Sequence, residues 1–455
     1  MADTDALLDE TAKRARRYVS SIGERGVAPT QAALDALSQF DEPLPTHGRS
    51  AEETLALLDE VGSPATIAST GGRYFGFVNG ATLPSALAAS WLVSSWDQNA
   101  ALPVMSPAAA KISDVARRWL VEALGLPSST EAAFVTGATV ANATCLAAAR
   151  DQQLAAVGWD VPRDGLFGAP ELTVVAGAQA HSTLLKSLSL VGLGRERVIR
   201  VPADDQGRLI ASELPDVSGP VVICAQAGEV NTGAFDPFSE IVAWAKERDA
   251  WVHVDGAFGL WAMTDPARAD LVEGLADAHS WATDGHKWLN VTYDCGIAFV
   301  RDGDDLRRSF TSVADYLPPD GGYEAMHHTP QSSQRARQVE VWAALRTLGV
   351  DGLSSLVSSL SDHAARIGAA LAEAGMTVLN DVVLNQVLVR AEDDEATNEL
   401  IAAIQAEGTC WCGPTMWAGR PAMRISVSGW VTTSDDISQS IDAMLRCARN
   451  VGAIG

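Results

Sequence analysis

Three short stretches of the chain carry residue types and spacings suited to covalent chemistry. The first is TGATVAN at 136–142, a turn of small residues that opens a helix. Small side chains let the backbone approach an anion closely. The free amides of a first helical turn point at it, and the Thr139 hydroxyl adds a donor. A plain turn with Thr139 as helix cap would read the same way. The second is HVDGAFG at 253–259, which puts Asp255 just after an apolar run. A carboxylate at a strand end can hold a cationic heterocycle or a metal, although Asp-Gly also suits a turn. The third is TDGHKWLN at 283–290. Lys287 lies 32 residues past Asp255, roughly one strand-plus-helix unit. A lysine in a dry pocket has a lowered pKa and can form a Schiff base with an aldehyde, whereas a lone loop lysine faces water. His286 beside it is either a phosphate donor or a polar loop residue.

Each piece alone has a bland reading. Together they make sense in one way. A phosphate cup on a helix start, an acid facing a ring nitrogen and a Schiff-base lysine are what pyridoxal phosphate requires.

The elements that must position these residues alternate. From about residue 107 the chain runs through the helical PAAAKISDVARRWLVEALGL, then AAFV, LTVVAGA, RVIRVP, PVVICAQ, WVHVD and CGIAFV as strands. Helices fall between them after TGATVAN, over STLLKSLSLVGLG up to Gly194, and near 238–248. Strands alternating with helices imply an α/β fold with a mainly parallel sheet covered on both faces, its catalytic groups at the carboxyl ends of strands. Upstream, residues 4–21 and 29–38 have amphipathic helical spacing, and SAEETLALLDEVG shows a capping box, Ser50 with Glu53. The stretch YLPPDGGYEAMHHTP at 316–330 reads as a long loop of the kind that serves as a lid. A long helix then begins in RARQVEVWAALRTLG, and the remainder is a small α+β unit. The division expected is a helical segment over 1–90, a large domain over 91–343 and a small domain over 344–455.

Composition excludes several classes. The 455 residues are 47% hydrophobic and 20% charged, those of an ordinary globular chain, and exceed one small core. A net charge of −24 argues against a nucleic-acid footprint or a polybasic membrane anchor. Six scattered cysteines make neither a disulfide scaffold nor a metal site. The charged N-terminus has no signal-peptide core, and no apolar run spans a membrane, so a cytoplasmic protein is expected.

The run HVDGAFG … TDGHKWLNVTYDCG resembles the pyridoxal-phosphate-dependent decarboxylases of the aromatic-amino-acid and glutamate decarboxylase group, which share the aspartate-aminotransferase fold type I. The similarity extends from GRYFGFV (72–78) to SVSGW (426–430), through AHSTLLK (180–186), AGEVNTGAFDP (227–237), ADYL (314–317), TPQSSQRARQVEVWAALRTLG (329–349) and LNQV (384–387). The resemblance implies a seven-stranded-type sheet, a homodimer with active sites at the subunit interface, and α-decarboxylation of an L-amino acid. The alternative is an aminotransferase or carbon–carbon lyase on the same scaffold. By resemblance, Lys287 is the Schiff-base lysine, Asp255 keeps the pyridine nitrogen protonated, Ala257 lies against one ring face and His181 stacks on the other. Ala138, Thr139 and His286 match phosphate-binding positions. Arg424 matches a small-domain arginine that meets a substrate carboxylate, and Gln98 and Asn99 fall where the substrate pocket is lined. Tyr323 is the candidate proton donor, with His327 and His328 as alternatives. Glu229-Val230 departs from the family's more Thr-rich sequence beside Thr232. No metal is implied.

Overall fold

The computed structural model describes residues 4–311 and 323–454. The part of the expected lid over 316–322, and ADYL at 314–317, lie outside the described residues.

A seven-stranded sheet in the order β1-β7-β6-β5-β4-β2-β3 forms the centre. Its strands are β1 (Glu131–Val135), β2 (Thr173–Gly177), β3 (Ile199–Val201), β4 (Val221–Gln226), β5 (Trp251–Asp255), β6 (Ser280–Asp284) and β7 (Gly296–Val300). Only β7 runs against its neighbours, pairing antiparallel with β1 and β6. The pairs β2–β3, β2–β4, β4–β5 and β5–β6 are parallel. Every residue of β5, β6 and β7 is buried, which is why most of these strands read as apolar runs rather than as alternating patterns.

Helices cover both faces. Ala138–Ala156 crosses one face, where Ala141, Cys145 and Leu146 pack on Val174, Ala282 and Ala298. Its alanines let it lie close to the sheet. The other face packs Ile223, Val252, Trp281 and Phe299 with Trp261, Leu120 and Val341. Fully burying a large apolar side chain contributes roughly 1.5–3 kcal/mol, and Trp261, Trp281 and Trp288 are among the largest buried here.

The helix beginning after RAR spans Gln338–Glu373 and bends at Gly349, whose φ is +63°. It therefore runs across the expected division at 343/344 and joins the two units. The small unit is an antiparallel sheet in the order β10-β11-β9-β8, with β8 (Thr377–Val378), β9 (Gln386–Arg390), β10 (Gly413–Trp417) and β11 (Arg420–Ser426). Upstream, the helix Thr4–Ser21 has no buried residue, and the Ser50–Glu53 capping box forms as expected. Among the described residues, no helix is long and apolar enough to cross a membrane, and no group of His, Cys, Asp or Glu could hold a metal ion.

Candidate active site

Because β7 reverses direction between β1 and β6, strands β1, β2, β4, β5 and β6 all end at the same edge. That edge holds a cavity of about 190 Å3, and it brings together Ala138, Thr139, His181, Asp255, Ala257, His286 and Lys287.

Lys287 stands on the turn that follows β6. Its Nζ lies 3.1 Å from Asp284 Oδ2 and 6.0 Å from the centre of the Phe258 ring. The turn is held from outside by Gly80, where a Cβ would fall 1.9 Å from the Lys287 carbonyl oxygen. Only a glycine permits that approach. Asn290 closes the turn at φ +55°. Its Oδ1 accepts from the N–H groups of Ala81 at 2.8 Å and Trp430 at 3.0 Å. Its Nδ2 donates to the carbonyls of Trp288 at 2.8 Å and Ser428 at 3.2 Å. One side chain thus ties the lysine turn to the N-terminal segment and to the small unit.

Asp255 is the last residue of β5. Burial pushes its carboxyl up, while His181, Lys287, the Asn142 amide and the Ala257 N–H all draw it down. The carboxylate forms no ion pair among the described residues, so a cation in the cavity would complete it.

His181 caps the helix Ser182–Leu190. Its Nδ1 accepts from the Thr183 N–H at 3.3 Å and lies 2.6 Å from the Thr183 hydroxyl. A neutral ring with Nδ1 accepting carries its proton on Nε2. Burial pushes the His181 pKa down, which keeps the ring neutral.

At the other end of the cavity, Ala138 N–H begins the helix Ala138–Ala156 and donates to Asp284 Oδ1 at 2.6 Å. His286 Nδ1 accepts from the Cys295 N–H at 3.2 Å, so its Nε2 carries the proton. Burial lowers the His286 pKa. Together with the Thr139 hydroxyl, these donors suit an anion at a helix N-terminus.

Arg424 lies at the rim. Its Nη1 donates at 3.4 Å to the carbonyl of the cavity residue Val230, and burial lowers its pKa. The departure at Glu229 has a structural use. Its carboxylate accepts from the N–H groups of Asn231 at 2.6 Å and Thr232 at 2.7 Å and so closes the turn.

Three expected residues lie elsewhere. The Tyr323 hydroxyl donates at 3.2 Å to the carbonyl of Ala132, at the amino end of β1 and away from the cavity. Its ring lies between the Arg117 guanidinium at 3.5 Å and His328 at 4.4 Å. Of the expected loop over 316–330, the described residues 323–330 hold one short 3-10 turn, Ala325–His327, and pack inward, with Met326, His327, His328 and Thr329 buried. Gln98 is exposed, and Asn99 Oδ1 braces a loop by accepting from the N–H groups of Ala101 at 3.1 Å and Gln334 at 3.2 Å. Neither lines the cavity of this chain.

A sequence profile of the pyridoxal-dependent decarboxylase conserved domain matches residues 51–391. The chain belongs to the pyridoxal-dependent decarboxylase family. It is 30% identical to L-2,4-diaminobutyrate decarboxylase of Rhizobium meliloti (strain 1021), over 98% of this chain and 90% of that protein. It is 25% identical to aromatic-L-amino-acid decarboxylase of Bacillus atrophaeus, over 69% of this chain and 66% of that one. The solved structure of Oryza sativa TDC with PLP and tryptamine superposes with a TM-score of 0.90 at 22% identity, covering 98% of each chain. This decarboxylase is therefore a pyridoxal-phosphate-dependent carboxy-lyase acting on an amino acid. The cavity fits that group, with a primary amine, a buried unpaired carboxylate and an anion cup in one enclosure.

Sequence reasoning missed several parts of the decarboxylase site. Asp284 was inside the quoted motif, at a spacing of three residues from Lys287 that a turn brings together. Thr183 sits two residues past His181, where a hydroxyl can fix a ring tautomer. Asn142 ends the quoted TGATVAN one helical turn inside the helix, and nothing in the letters said which way it points.

Proposed function

We propose that this decarboxylase binds its cofactor covalently through Lys287 and removes the α-carboxyl group of an L-amino acid. Pyridoxal phosphate, when bound, supplies a cationic ring that accepts the electron pair left by departing carbon dioxide. Asp255 holds the ring nitrogen protonated. Ala257 and His181, which line the cavity, would hold the ring between them. Ala138, Thr139 and His286 donate to the phosphate. Arg424 meets a substrate carboxylate at the rim, where a guanidinium offers two parallel donors. Burial of the site excludes water, and orientation of the carboxyl group selects the bond that breaks.

A proton must return to the α-carbon. Tyr323 is held on Ala132 at the far end of β1, which disfavours it as donor to the cavity of its own chain. His181, which lines the cavity, takes that role in this reading once it has taken up a second proton, a form that the Asp255 carboxylate favours; it then returns to the neutral ring. The aminotransferase alternative is not favoured by the relatives, which include L-2,4-diaminobutyrate and aromatic-L-amino-acid decarboxylases beside a 4-hydroxyphenylacetaldehyde synthase.

The protein is further proposed to act as a homodimer. Trp91, Leu92 and Trp96 project from the helix Pro84–Trp96 into solvent, with Val104 and Met105 close behind in sequence. Gln98 and Asn99 follow directly on this helix in sequence, and in the proposed pair they would lie near the interface. All six cysteines are unpaired and buried, which supports a reducing compartment such as the cytoplasm.

The observation that carries the reading is the meeting of Lys287, Asp255, His181 and the helix N-terminus in one cavity. Adding pyridoxal phosphate to the purified protein should produce a visible absorbance band that Lys287→Ala abolishes. Screening the standard amino acids for carbon dioxide release should then find a substrate that the variant does not turn over. A colourless wild-type protein would end the proposal.

A further inference from the structure

A row of buried polar groups runs from the middle of the sheet to the back of Asp255. Trp251 Nε1–H donates to Ser280 Oγ at 2.8 Å. Ser280 Oγ lies 2.9 Å from His253 Nδ1, and His253 Nε2 lies 2.8 Å from Asn142 Oδ1. Ser280, His253 and Asn142 are wholly buried, and Trp251 is 3% exposed.

The direction of the protons follows from the one group in the row that cannot accept. An indole N–H only donates, so Ser280 accepts from Trp251. Its own hydroxyl proton then goes to His253 Nδ1, a stronger acceptor than the Cys145 thiol that also lies beside it. Burial pushes the His253 pKa down to about 3, so the ring is neutral. Its single proton sits on Nε2 and is donated to Asn142 Oδ1. The opposite tautomer would leave the buried Ser280 proton only the weakly accepting Cys145 sulfur, and buried polar groups favour the better-satisfied arrangement.

Asn142 is thereby turned with Oδ1 toward His253 and Nδ2 away from it. That Nδ2 is buried and has no hydrogen-bond partner among the described residues. The Asn142 amide is also among the groups that hold the Asp255 carboxyl down against burial. An unsatisfied donor aimed at a buried carboxylate, at the end of a row in which every link donates forward, is costly unless something uses it.

We propose that Asn142 is a positioning residue for Asp255: its Nδ2–H donates to the carboxylate in the holoenzyme, in an orientation imposed by Trp251, Ser280 and His253. The row keeps Asp255 ionised and aligned with the cofactor's ring nitrogen, and that nitrogen stays protonated. The electron-accepting strength of the ring then depends on residues that never touch it. This rests on the assignment of Lys287 and Asp255 above.

The test uses the holoenzyme loaded with pyridoxal phosphate labelled with 15N in the ring, and reads the ring-nitrogen signal by NMR against pH. Wild type should show a protonated nitrogen throughout the neutral range. Asn142→Leu keeps the size and removes the donor. Its signal should move toward the unprotonated position and titrate at lower pH than in wild type. Its kcat should fall about 10- to 100-fold with KM changed by less than about 3-fold, as for an interaction made mainly in the transition state. Asn142→Ser, which can donate again, should recover part of the shift. Ser280→Ala cuts the row two links back and should move the signal the same way by a smaller amount, which decides the matter if Asn142→Leu does not fold. Variants that keep the wild-type ring-nitrogen signal and pH profile overturn the proposal. A wild-type protein that takes up no cofactor overturns the Lys287 assignment as well, so the two failures are told apart.

Discussion

Asp284 holds two positions at once. One carboxylate oxygen accepts from Ala138 N–H at 2.6 Å, and the other pairs with Lys287 at 3.1 Å. In the proposed holoenzyme both partners would change, since the lysine would lose its ammonium and the helix N-terminus would receive a phosphate. A carboxylate beside a phosphate is a repulsive neighbour. Asp284→Asn should therefore lower the stability of the cofactor-free protein by about 1–3 kcal/mol through the lost charge-assisted bonds. It should leave the dissociation constant for pyridoxal phosphate unchanged or lower. Denaturant melts of the free protein and a spectrophotometric titration check the two halves, and a tenfold weaker cofactor affinity would contradict this role. His253 gives a pH signature at the same scale. Its folded pKa of about 3 lies below the ordinary 6.5. Below 6.5 the unfolded chain takes up a proton that the folded chain refuses until about pH 3. Its stabilising contribution is thus complete above that window and declines through it, by about 1.4 kcal/mol per pH unit for one proton. His253→Gln removes the slope. The stability gap between wild type and variant should change steadily as pH falls from 6.5, and parallel curves would disprove the neutral buried histidine.

Elements were legible in the sequence to the extent that their residues were apolar. β4, β5 and β7 are buried on both faces and read directly as VVICAQ, WVHVD and GIAFV. β6 was passed over because Ser280, Thr283 and Asp284 give SWATD a loop-like polarity. Its polar groups are satisfied by partners distant in sequence: Trp251 and His253 at Ser280, Ala138 at Asp284. β10 was missed as well, and Pro414 marks it as an edge strand of the small sheet. The same logic governs the lysine turn. TDGHKWLN showed a lysine between buried runs, but only the structure shows Asn290 bonding to elements that lie hundreds of residues apart in sequence. Asn290→Ala removes an acceptor for two backbone N–H groups and a donor to two carbonyls. It also places alanine at φ +55°, which asparagine tolerates better. The expected cost is about 2–4 kcal/mol, with weaker cofactor retention because the Lys287 turn loses its tie to the small unit. Asn290→Asp keeps the acceptor and should fall between. A urea midpoint within error of wild type for the alanine variant would refute this account of the turn.

At the scale of the whole molecule, one helix has more apolar surface than a single chain can cover. The inner side of Pro84–Trp96 packs Ala89 and Val93 against Ala109, Ala336 and Val339. Its outer side leaves Leu92 55%, Trp91 43% and Trp96 40% exposed, followed by Val104 at 72% and Met105 at 49%. A helix that is apolar all round belongs in an interior, and exposed patches of this kind mark association sites. The net charge of −24 opposes unspecific clustering of such surfaces, and in the proposed homodimer a second copy supplies the same apolar face. A stable interface needs about 800 Å2 per partner, more than one helix face offers. The helix Thr4–Ser21, which has no buried residue and leaves Leu8 and Val19 exposed, is a second surface that the proposed homodimer would cover. Sedimentation of the wild-type protein at micromolar concentration should therefore give about twice the chain mass of 47.9 kDa. Leu92→Glu combined with Trp96→Glu should reduce it to a single chain. Because Gln98 and Asn99 follow directly on this helix, the split protein should also lose decarboxylation while each chain, with its cavity intact, still takes up pyridoxal phosphate. A wild-type protein that sediments as a single chain and is fully active would show that the patch serves something other than a second copy.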